Sequence, residues 1–145
     1  MGLITGSFHK RTTQRLVAPI RVVVAVTPTQ VKQAAKSICD SFEPRRGIMS
    51  NGEHLWIIGS SDQSFSVVYG PPAKNEPNTV VRSWKADVTS TVDGSHTLVQ
   101  LEMTNWKTKD KKLVFQNEFE GFRDRFFVKL RQMDPSMREL TEAGR

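Results

Sequence analysis

The chain has 145 residues, the length of one domain, and can bury roughly two-thirds of its unfolded surface without disulfides or metal to staple it. Apolar and charged fractions of 37% and 25% exclude a disordered chain, and no apolar run approaches the ~20 residues of a membrane span. The net charge of +6 is lopsided: six basic residues and no acidic one precede Asp40, while from residue 40 onward 15 basic residues meet 15 acidic ones.

Residues 1–18 lack periodicity and read as a basic N-terminal arm carrying Lys10 and Arg11. The β-branched run Ile20–Val26 predicts a strand buried on both faces. Thr27, Pro28 and Gln30 then supply an N-cap, a first-turn proline and the partner of a capping box. Val31, Ala34, Ala35, Ile38 and Phe42 continue as one apolar stripe, so a helix is predicted over 28–42, ended by Glu43-Pro44. Two short strands follow at 55–58 and 65–69, then a proline-rich loop over 70–78.

Two longer alternating segments, 79–92 and 95–107, flank Asp93-Gly94, a two-residue hairpin signal. Pairing Val92 with Ser95 sets Val88 against Val99, Ala86 against Leu101, Trp84 against Met103 and Arg82 against Asn105. The last helix is predicted over 115–133, where Phe115, Phe119, Phe122, Phe126, Leu130 and Met133 recur at spacings of four and three. Asp134-Pro135 stops it, the folded domain is taken as 19–135, and 136–145 reads as a polar C-terminal tail.

These elements make an α+β chain: an antiparallel sheet with a long C-terminal helix packed on one face, a two-layer sandwich. Packing the phenylalanine stripe on the hairpin places Trp84, Met103, Phe119, Phe122 and Phe126 around an apolar chamber, with Arg82 and Asn105 at its edge. Apolar walls with a few polar fixing groups are how small-molecule pockets are built. The same residues also satisfy a plain hydrophobic core, with Arg82 snorkelling to solvent.

Catalytic chemistry finds little support. His9, His54 and His96 are scattered, and His54 with its neighbour Glu53 would point to opposite faces of a strand. Cys39 is the one cysteine, so no internal disulfide and no Cys-x-x-Cys metal site is expected, which points to an intracellular, cytoplasmic protein. No metal and no cofactor is expected. The Lys107–Lys112 segment holds Lys109, Lys111 and Lys112; with Lys10 and Arg11 it offers a basic patch for anionic lipid, nucleic acid or a protein partner.

The order strand 20–26, helix 28–42, antiparallel strands 54–107 and long helix 115–133 resembles the START-like (SRPBCC) helix-grip superfamily. The Thr27-Pro28 helix entry, the hairpin around Asp93-Gly94 and the phenylalanine-striped helix carry that resemblance. It implies a sheet curved around the last helix and non-catalytic binding of a small apolar or amphipathic molecule between them. The sequence departs from the family in showing four clear strands after the first helix instead of six, and no second helix between Glu43 and Asn51.

Overall fold

The computed structural model describes residues 17–43, 52–71 and 83–140. Six strands form one open antiparallel sheet. In chain order they are β1 (Ile20–Val24), β2 (His54–Ile58), β3 (Ser64–Gly70), β4 (Trp84–Asp93), β5 (His96–Trp106) and, after a small ribbon, β8 (Arg138–Leu140). Their spatial order is β2-β3-β4-β5-β1-β8. The ribbon pairs β6 (Thr108–Lys109) with β7 (Lys112–Leu113) outside the main sheet. Helices α1 (Pro28–Ser41) and α2 (Gln116–Met133) cover a single face, and their apolar stripes join the inward residues of β1 to β5 in one core.

Helix α1 begins as its sequence dictates. The Gln30 amide donates to the Thr27 hydroxyl at 3.2 Å, while the Thr27 amide donates to Gln30 Oε1 at 2.9 Å, completing the capping box. Val31, Ala34, Ala35, Ile38 and Cys39 are its buried residues. Helix α2 buries Phe119, Phe122, Phe126 and Leu130 at the predicted spacing. Gly121, which lowers helix propensity, sits where a Cβ would meet Phe42 Cζ at 3.4 Å, so the two helices approach closely there. Arg125 seals this crossing, its guanidinium 4.7 Å from the Phe42 ring and donating to the Ser41 hydroxyl.

Strand β1 differs from the expected doubly buried strand. Val22 and Val24 enter the core, whereas Arg21 lies exposed on the other face and donates to Gln100 Oε1 at 2.8 Å. Both helices lie on one side, so the far face of the antiparallel sheet meets water.

The hairpin register is also corrected. Asp93 pairs with His96, leaving Gly94 and Ser95 at the tip, with Gly94 at φ +62. A glycine at the first central position adopts that positive φ without strain. Val88 therefore opposes Leu101 and Ala86 opposes Met103, a slip of two that keeps every side chain on its predicted face. A bulge between Lys85 and Ala86 then adds a residue on β5, so Lys85 pairs with Asn105 and Trp84 with Trp106.

Beyond α2 the chain turns back and adds β8, which pairs with β1 through Arg21–Leu140, Val22–Glu139 and Val23–Arg138. Asp134 builds that turn. Its carboxylate accepts from the Ala25 amide at 2.8 Å, the Ser136 amide at 3.0 Å and the Ser136 hydroxyl at 2.6 Å. Strand β1 and the four later strands are those the sequence predicts, and β8, which it does not predict, brings the main sheet to six. Residues 44–51, where the resemblance implies a second helix, lie outside the described residues, as do residues 1–16 with Lys10 and Arg11, residues 79–82 and residues 141–145.

Candidate functional site

The residues expected to line a chamber come together, and they pack. Trp84, Phe122 and Phe126 are 0% exposed, Phe119 is 1% and Met103 3%. Trp84 stacks on Tyr69 at 6.0 Å between centroids and meets the edge of Phe119 at 5.3 Å. Phe122 stacks on Phe126 at 5.5 Å. Trp84 Nε1 donates to the Phe115 carbonyl at 3.2 Å, which fixes the indole at the start of α2. Phe115 reaches this position through a left-handed backbone, φ 57, which also brings its ring to 5.0 Å from Tyr69.

Asn105 is not among them. Past the bulge the regular alternation is lost, and Asn105 lies exposed opposite Lys85 instead of opposite Arg82. Arg82 itself falls outside the described residues.

An open groove of about 340 Å³ lies on the flank of α2 that faces β1 and β8. Ile20, Val22, Phe127, Val128 and Met137 supply its apolar surface. Arg123, Asp124, Arg131 and Glu139 supply the polar rim. Two contacts hold the arginines at that rim: Arg123 Nε donates to Asp124 Oδ1 at 2.9 Å, and Arg131 Nη1 donates to the Met137 carbonyl at 3.2 Å. The sequence reading did not find these residues. One sign was present: Phe126-Phe127-Val128 places three consecutive apolar side chains on a helix, so its apolar surface extends beyond a single stripe.

The chemistry of the remaining candidates is limited. Burial pushes the Cys39 thiol up to about 12, so it stays protonated near neutrality and is a poor nucleophile or ligand. Hydrogen bonds from the Ser136 hydroxyl and then the Ala25 amide hold the Asp134 carboxyl below its ordinary value. Among the described residues no three His, Cys, Asp or Glu side chains gather as a metal site, and no helix is long and apolar enough to cross a membrane. Lys109, Lys111 and Lys112 sit exposed on the β6–β7 ribbon.

The solved structures to which the chain is similar at low identity include the following. Protein MLL2253 from Mesorhizobium loti matches with 15% identity and a TM-score of 0.46, covering 82% of this chain and 98% of that one. The Aha1 dimer from Colwellia psychrerythraea, a solution structure, matches with 14% identity and a TM-score of 0.47, covering 88% of this chain and 98% of that one. No family model and no curated protein matches the sequence.

Proposed function

We propose that the protein binds a small apolar or amphipathic molecule, without chemical change, between its sheet and its C-terminal helix. The observation that carries this reading is the groove between α2 and the β1–β8 edge, apolar below and arginine-bearing at its rim. Its volume of about 340 Å³ matches a small ligand with one polar end. The aromatic cluster of Trp84, Phe119, Phe122 and Phe126 is packed core and takes no part in the lining. Arg123 and Arg131 take the polar fixing role first sought in Arg82 and Asn105.

The test is thermal unfolding of the full chain with laurate and with its neutral counterpart dodecanol. Ligand at about 100 times its Kd adds roughly 2.7 kcal/mol, or about 5–10 °C in Tm for a domain of this size. Val128 is 56% exposed, so Val128→Arg leaves the fold intact while filling the groove, and the stabilisation is lost. No stabilisation by either ligand, or the same stabilisation in the variant, refutes the reading.

A further inference from the structure

The Lys107–Lys112 segment is a hydrogen-bonded ribbon instead of a solvated linker. Thr108 pairs with Leu113 and Lys109 with Lys112, the Val114 amide donates to the Lys107 carbonyl at 2.9 Å, and buried Leu113 anchors the base. Two features work against its own stability. Lys109 and Lys112 stand directly opposite each other, and like charges in that position repel. The turn holds Asp110 at φ 54 and Lys111 at φ 66, a left-handed conformation that lysine rarely adopts. Backbone conformations that a side chain rarely adopts concentrate at functional sites. The segment has four lysines to one aspartate, and the residue before it, Trp106, is 39% exposed.

We infer that this ribbon docks the protein on an anionic membrane surface, with Lys107, Lys109 and Lys112 among the lipid headgroups and Trp106 at the interface. The chemistry favours lipid over nucleic acid. Single-stranded nucleic acid is held in a basic groove with successive aromatic rings, whereas a two-residue turn is convex and Trp106 is the exposed tryptophan among the described residues. Lysines without arginine act as compact charges on a diffuse anionic plane instead of forming bidentate phosphate contacts. Tryptophan favours the membrane–water boundary, where its ring is half dry and half wet.

The experiment is co-sedimentation of the full chain with phosphatidylcholine vesicles containing ~30% phosphatidylserine, against phosphatidylcholine alone, at low and high salt. Partitioning is expected only with phosphatidylserine and is expected to fall as salt rises. Lys109→Gln with Lys112→Gln lowers it about fivefold per lysine, roughly 25-fold for the pair. That variant removes a repulsion, so its melting point stays at or above the parent's. Tryptophan emission shifts to the blue on vesicle binding, and Trp106→Phe abolishes the shift. Absence of partitioning, partitioning unchanged in the double variant, or binding to a single-stranded oligonucleotide without vesicle binding overturns the inference. The groove shares no residue with this ribbon, and ligand stabilisation of the double variant reports on it separately.

Discussion

Phe122→Ala asks whether the aromatic cluster is a packed core or the lining of a chamber. The Phe122 ring is 0% exposed and stacked on Phe126 at 5.5 Å, and both stripes of the core close over it. Truncation forfeits the transfer energy of the ring and its stacking, and it opens a cavity that neighbours cannot fully collapse. The sum is about 3–5 kcal/mol, of which stacking supplies roughly 0.5–1.5 kcal/mol. A domain of this length is stable by only about 7–20 kcal/mol, so the loss is large, and Tm falls by about 6–20 °C. Equilibrium urea unfolding of parent and variant, followed by far-UV circular dichroism, measures it through the midpoint at constant m. A loss below about 1 kcal/mol would mean that the ring was facing space already, and the assignment of these side chains to the core would fall.

Gly121→Ala, by contrast, should stabilise the protein by about 0.5–1 kcal/mol, because alanine restores helix propensity and its Cβ meets only the movable tip of Phe42. A lowered urea midpoint would show that the Phe42–Arg125 contact cannot yield. Asp134 predicts acid lability of the β1–β8 end. Its carboxyl is held below the ordinary 3.8 in the folded state, so its contribution is complete above that value and disappears as pH falls through the lower folded value. The Tm gap between the parent and Asp134→Asn should therefore be widest near neutrality and shrink well below pH 3.8; a gap independent of pH would refute the role of the charge.

The parts of this fold legible in the sequence are those whose signal is local. The capping box of Thr27 and Gln30, the Val31 to Ile38 stripe and the phenylalanine spacing of α2 require nothing from the rest of the chain. The inward faces of β4 and β5 were legible for the same reason, since alternation alone assigns Trp84, Ala86, Val88, Val99, Leu101 and Met103. The register was not. A glycine with positive φ can occupy either central position of a two-residue turn, and the two choices differ by a slip that leaves every face unchanged. The bulge beside Ala86 was invisible as well, and with it the outward turn of Asn105. Strand β8 lacks any intrinsic strand signal: Arg138-Glu139-Leu140 becomes a strand because Asp134 turns the chain and the free edge of β1 offers partners.

The groove escaped notice because no single segment contains it. Its apolar surface comes from β1, from the off-stripe residues of α2 and from Met137, which lies beyond the predicted end of the domain. The helix itself explains why open space appears there. The sheet face is wide enough to cover Phe119, Phe122, Phe126 and Leu130, which pack to full burial, and any void beneath them would cost stability in proportion to its volume. Phe127 and Val128 continue the apolar surface past the reach of that face, leaving Val128 56% exposed, while the short strand β8 contributes only Glu139 to the wall opposite. Apolar area that the protein does not cover with its own atoms remains available to another molecule, and it lies on the side of α2 away from the residues whose spacing first suggested a pocket.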